Sequence, residues 1–152
     1  MRSTASILAW SLALAAVAAT PALLDSGTPP ASRAEEAASQ SFRRAEKPVT
    51  GSITVREEGG RTLLVFSADF STSESAPDLK VAVSPSSTPL ALSTPPAYPL
   101  REGTYTVLAP LKSARGAQVY EVPPSIDLSR QGSVLIWCEQ FNATMAWAPL
   151  RR

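Results

Sequence analysis

"GSVLIWCEQF", residues 132–141, is the stretch whose reading decides the fold. Successive side chains of a strand point to opposite faces, so Val134, Ile136, Cys138 and Gln140 share one face, and Ser133, Leu135, Trp137, Glu139 and Phe141 the other. Both faces are largely apolar, which is the pattern of a central strand covered on both sides. Cys138 then lies beneath one face and Trp137 beneath the other, with Trp137 expected to anchor the packing of two layers.

Short apolar or alternating segments of the same kind recur on the N-terminal side of this stretch and after it. They read "GSITVRE", "RTLLVFSADF", "DLKVAVS", "GTYTVLAPL", "AQVYEVP" and "ATMAWAPL", and Gly, Pro and Ser fill the spaces between them. Seven short strands rich in Val, Ile, Thr and aromatics predict an all-β domain, a single antiparallel sandwich or barrel spanning residues 42–150. "EEGGRT" predicts a hairpin whose glycines supply positive φ. Pro85 to Pro99 holds five prolines, which cannot donate to a ladder and disfavour helix, so an extended loop is expected there. Tyr98 within it is expected to pack onto the domain.

Ahead of the domain, Arg2 is followed by the apolar run Ile7 to Ala19 and then by small residues, the layout of a secretory signal peptide ending near residue 22. The run is too short, and too soon followed by Asp25, to predict a membrane span. Residues 23–41 shift to Ser, Pro, Ala, Glu and Arg and predict a flexible leader, with a short helix over 32–46 as the alternative. Export to the periplasm, envelope or exterior, with no stable membrane span after cleavage, is the expected location.

Charge and composition exclude more than they include. The chain has 14 Lys+Arg against 13 Asp+Glu, and loss of Arg2 with the signal segment leaves 13 of each. Such a balance, without a basic block, has no electrostatic footprint for nucleic acid. Histidine is absent, so no Ser/His/Asp or Cys/His nucleophile system can be assembled, and a structural zinc site lacks ligands. Most enzyme classes are thereby removed.

"SFRRAEKPVTGSITV", "LVFSADFSTSESAPDLKVAVS", "LAPLKSARGAQVYEVPPSIDLSRQGSVLIWCEQF" and the closing "MAWAPL" resemble, in order and spacing, the electron-transfer DM-thirteen domain family, found alone and beside DOMON domains. The resemblance is carried by Asp69-Phe70 and Pro77-Asp78-Leu79, by Leu111-Lys112 with Gly116, Gln118, Tyr120 and Pro123, and by Ser133-Val134 through Ile136-Trp137-Cys138. It implies an extracytoplasmic redox module whose shared cysteine, here Cys138, acts as a thiol or a haem ligand toward a redox partner or envelope protein not identified by sequence. Lys47 stands where the family usually has a histidine, which removes the natural second axial ligand for a haem. Ala76 and Ala82 also depart from the pattern.

Read from the residues alone, Cys138 has three readings. These are a small hydrophobe in the core, a redox or haem-linked thiol, and half of an interchain disulfide. In the first reading the chain is a non-catalytic binding module of the envelope. Asp69 and Asp78 are candidates to hold a cation through oxygen, although their spacing matches no calcium loop. Asp78 and Asp127 also fit as turn residues that bond nearby backbone N–H groups. Lys112 and Arg115 flank Gly116 and are candidates for an anionic partner, with a solvated loop as the plainer account. Met145 pairs with Cys138 as a candidate soft ligand, against its role as a core methionine. Asn142-Ala143-Thr144 is a glycan acceptor in a eukaryotic host.

Overall fold

The computed structural model describes residues 38–150. The expected signal peptide and residues 23–37 of the expected leader lie outside them. Nine strands run through the described chain: β1 (Gln40–Ser41), β2 (Arg43–Arg44), β3 (Ser52–Glu58), β4 (Arg61–Phe66), β5 (Leu79–Ser84), β6 (Thr106–Pro110), β7 (Gln118–Glu121), β8 (Ser133–Cys138) and β9 (Ala143–Pro149). They form two antiparallel sheets, one in the order β1-β3-β4-β7 and the other in the order β2-β9-β8-β5-β6. The all-β sandwich is therefore the architecture, and β3 to β9 fall on the seven predicted segments.

Sheet pairing starts ahead of Phe42, at Gln40, which pairs with Ile53. The helical alternative for 32–46 is not taken up in its described part, where β1 and β2 lie instead. The chain changes sheets at Phe42, whose ring packs against Phe66 at 5.2 Å and Phe70 at 5.1 Å. Offset and edge contacts of this kind add to burial. Gly51 accepts the Phe42 N–H at 3.0 Å. A Cβ on Gly51 would lie 2.6 Å from the Phe70 Cα, so only glycine lets these two backbones meet.

Between β3 and β4, Glu58 pairs with Arg61, and the two central residues Gly59 and Gly60 have φ of 58° and 75°. Both positive φ values make this the mirror-image two-residue hairpin that matches strand twist.

β8 is flanked by β9 and β5, so it is central as its two apolar faces required. Its inner residues Val134, Ile136 and Cys138 meet Val81, Phe66, Leu64 and Tyr120 in the core between the sheets. Its outer residues Leu135 and Trp137 form a second cluster with Ala82 and Leu100, to which Tyr105 and Trp147 pack. Trp137 therefore does not anchor the packing of the two sheets. It lies on the outer side of its sheet and anchors a third layer, the loop between β5 and β6 that includes the five prolines. That loop is a series of turns, among them Ser93 N–H to Leu90 at 3.0 Å and Tyr98 N–H to Thr94 at 3.0 Å.

Register slips between Ile136 and Trp137, where Ile136 pairs with Ala146 but Trp137 with Thr144. Met145 is the extra residue of this bulge, so Met145 and Ala146 both reach the inner core and Trp147 turns outward. The bulged carbonyl of Met145 accepts the N–H of Ala45 at 3.1 Å and of Lys47 at 3.3 Å. No helix among the described residues is long and apolar enough to cross a membrane.

Candidate functional site: an enclosed thiol at the end of β8

Cys138 ends β8 opposite Leu79 on one side and Ala143 on the other, with no exposed surface. Its Sγ donates to the carbonyl of Pro77 at 2.9 Å. The cover over the thiol is thus the segment leading into β5. That segment is held at Thr72, whose N–H bonds Ala114 at 2.9 Å, and at Asp78, whose carbonyl accepts from Glu139 at 3.2 Å. Between those ends Ser73 to Pro77 form a turn at Glu74 and Ser75 and join no sheet ladder, with Glu74 paired to Arg115 at the surface. Ala76 and Asp78, on either side of Pro77, line an open cleft of about 380 Å³ with Leu79 and Lys112, and Cys138 does not line it.

Asp78 has φ of 52°, a left-handed conformation that non-glycine residues seldom adopt. Its carboxylate does not bond a nearby N–H as a turn residue would. It pairs instead with Lys80 Nζ at 2.6 Å, and Glu139 lies 3.3 Å from the same ammonium. The bond from Asp78, joined by that from Glu139, raises the Lys80 ammonium above its usual 10.5, against the opposing effect of burial. Asp127 does behave as expected, its carboxylate accepting the Ser129 N–H at 2.8 Å at the start of a short 3₁₀ turn. Asp69 is exposed, and its backbone carbonyl accepts the Thr50 hydroxyl at 2.6 Å. Asp78 is thus engaged by Lys80, and among the described residues no group of three or more His, Cys, Asp or Glu is placed to hold a metal.

Lys112 and Arg115 are both exposed, and neither stands as a free cation. Lys112 Nζ sits 4.9 Å from the centre of the Tyr120 ring, and Arg115 pairs with Glu74. Tyr120 is buried and its hydroxyl serves as a joint, accepting the Lys112 N–H at 2.9 Å and donating to Gln118 Oε1 at 2.6 Å. Burial raises its phenol above the usual 10.0, and the Lys112 N–H works in the other direction. Tyr105, whose ring lies 4.8 Å from that of Trp137, is also raised, chiefly by burial and then by the charges of Glu102 and Glu139.

Met145 lies in the same inner core as Cys138 and is 2% exposed. With the thiol enclosed and its hydrogen given to Pro77, and with no histidine in the chain, these residues do not fit a haem site. The Asn142 amide, whose sequence fitted a glycan acceptor, is used internally. Its Oδ1 accepts from the Trp137 indole at 3.0 Å and its Nδ2 donates to the Leu100 carbonyl at 3.1 Å. Thr144 Oγ1 donates to the Tyr98 carbonyl at 2.8 Å, which ties the backbone of the half-buried Tyr98 to β9. Sequence reasoning missed this clamp, because an Asn before a strand gives no sign of which loop it will hold.

The described residues form a two-sheet antiparallel sandwich with one thiol closed into its core. Residues 41–150 match the family model described as Electron transfer DM13, and the chain belongs to that family. Neither the curated proteins nor the solved structures yielded a match.

Proposed function

We propose that the chain is an exported electron-transfer module whose redox group is the Cys138 thiol itself, reached when the cover from Ser73 to Pro77 lifts. The observation that carries this is the cover: a stretch that joins no sheet ladder between Thr72 and Asp78 and is held midway only by the exposed Glu74–Arg115 pair, lying over the only cysteine. Segments of this kind open locally at less cost than the fold as a whole. Export is supported by the apolar run from Ile7 to Ala19.

With the cover lifted, Cys138 as thiolate attacks one sulfur of a partner's disulfide. The new S–S bond joins the two chains, the partner's own S–S bond breaks, and its second sulfur leaves as thiolate and takes up the proton. A thiolate of a second, reducing protein then attacks the partner's sulfur in the mixed disulfide, forms a new S–S bond with it and releases Cys138 as thiolate. The electron pair thus passes from the second protein's thiol to the partner's disulfide, and Cys138 ends as it began.

Labelling of the native protein with an aromatic disulfide reagent across a range of sub-denaturing urea tests this. Local opening predicts a rate nearly independent of urea, since little surface is exposed. A rate that follows global unfolding at every urea concentration overturns the reading. The competing account, Cys138 as core packing in a binding module, is favoured by its complete burial and predicts that second result.

A further inference from the structure

We propose that the cavity between the proline-rich loop and the end of β5 is a binding site for a small molecule with an apolar body and one negative charge, in the size class of a single-ring carboxylate. The cavity measures about 270 Å³. An apolar cavity of roughly 150 Å³ holds a benzene ring, so this one takes a ring with a carboxylate attached. Leu100 is buried at its base, Pro89 and Ala91 form its sides, and Leu92, 80% exposed, stands at its mouth.

The cavity is already built. Ser133, fully buried, donates its hydroxyl to the Ser86 carbonyl at 2.7 Å. A Cβ on Gly132 would meet the Ser87 nitrogen at 2.5 Å, which shows how closely the loop is seated there. Ser93 Oγ donates to the Pro99 carbonyl at 2.9 Å, and Asn142 accepts the Leu100 N–H at 2.9 Å. A ligand entering such a site pays little to order it.

Its polar groups select the charge. The hydroxyls of Ser84 and Thr104 are spent within the wall, donating to the Thr104 and Arg101 carbonyls at 2.7 Å each. The Arg101 guanidinium and the Thr88 hydroxyl have no hydrogen-bond or ion-pair partner among the described residues. One planar cation and two hydroxyls, that of Thr88 and that of Ser86, which accepts the Thr88 N–H at 3.1 Å and keeps its own hydrogen to donate, suit a carboxylate on a hydrocarbon body. A multiply charged anion would be poorly served, since the apolar base would strip water from charge without replacing it.

Titration of the full chain with benzoate, followed by amide chemical shifts, tests the site, with benzyl alcohol and benzylamine as neutral and cationic counterparts. Saturable shifts are expected at Thr88, Ala91, Leu92 and Arg101, with a dissociation constant on the order of 1 mM or tighter. Benzyl alcohol should bind roughly three- to tenfold more weakly. Arg101→Gln should bring benzoate down to the level of the alcohol, and Ala91→Phe should abolish both. Both positions are exposed, so an unchanged spectrum elsewhere verifies the fold. The proposal is overturned by any of three results: no saturable shift at these residues, binding that survives Ala91→Phe, or a benzoate preference untouched by Arg101→Gln.

Discussion

Asn142 holds Leu100 by both of its backbone groups, accepting its N–H at 2.9 Å and donating to its carbonyl at 3.1 Å. An amide side chain is the one neutral group that offers acceptor and donor side by side, as a neighbouring strand would. The proline-rich loop, which cannot join a ladder through its prolines, is thus attached to the sheet by a side chain that imitates one.

Asn142→Ala should destabilise the protein by about 2–3 kcal/mol, because the Leu100 N–H and the Trp137 indole N–H both lose their acceptor. Asn142 also has φ of 44°, where Ala is less comfortable than Asn. Urea denaturation measures the loss, and an unchanged midpoint would mean that water replaces the clamp without cost.

Trp137→Ala should cost about 3–5 kcal/mol. Because Trp137 supports the loop rather than the interface between sheets, hydrogen exchange should rise first at Ala97 to Tyr105. The amides of β4, on the other sheet, should keep their protection. Equal loss of protection in both places would contradict the three-layer arrangement.

Cys138→Ser and Cys138→Ala should each cost about 1–2 kcal/mol and differ little. A serine hydroxyl still has the Pro77 carbonyl to receive its hydrogen, whereas alanine leaves that carbonyl unpartnered but adds no polar atom. Calorimetry of the two variants is the check. A serine far less stable than alanine would show that Pro77 cannot serve a hydroxyl.

Tyr120 gives stability a dependence on alkaline pH. Its folded-state value is raised, so its contribution is complete below about pH 10 and is lost as pH climbs through the raised value. Tyr105 adds to the same limb in the same direction. Tyr120→Phe should cost about 1–3 kcal/mol at neutral pH, through the orphaned Lys112 N–H, and should flatten part of the alkaline decline. A stability profile above pH 9 that is identical in both proteins would refute the assignment.

The strands were legible because their signal is local: alternation around Val81, Leu135 and Tyr120 follows from a period of two, whichever partner each strand finds. β1 and β2 were not legible, since two-residue strands carry no period and owe their pairing to the burial of Phe42 between the sheets. The enclosure of Cys138 followed from the apolar flanks of β8, but its bond to Pro77 did not, as the two are separated by 61 positions. The same holds for Trp137. Burial was plain from its neighbours, while the identity of the layer above it depended on a loop whose prolines announce only what it cannot be. The bulge at Met145 hid the true phase of β9, because "ATMAWAPL" alternates by eye in a register that the chain abandons midway.

The change of sheets at Phe42 has a mechanical consequence. Any pulling force applied to the chain ahead of residue 38 enters the domain through β1 and β2, each only two residues long and each bound to a different sheet. Such short ladders resist little on their own. The load falls next on the Phe42 ring, seated against Phe66 and Phe70, and on the backbone bonds beside it, from Phe42 to Gly51 and from Ala45 and Lys47 to Met145. Phe42→Ala should let that end peel away from both sheets at a fraction of the force, while β3 to β9 stay folded.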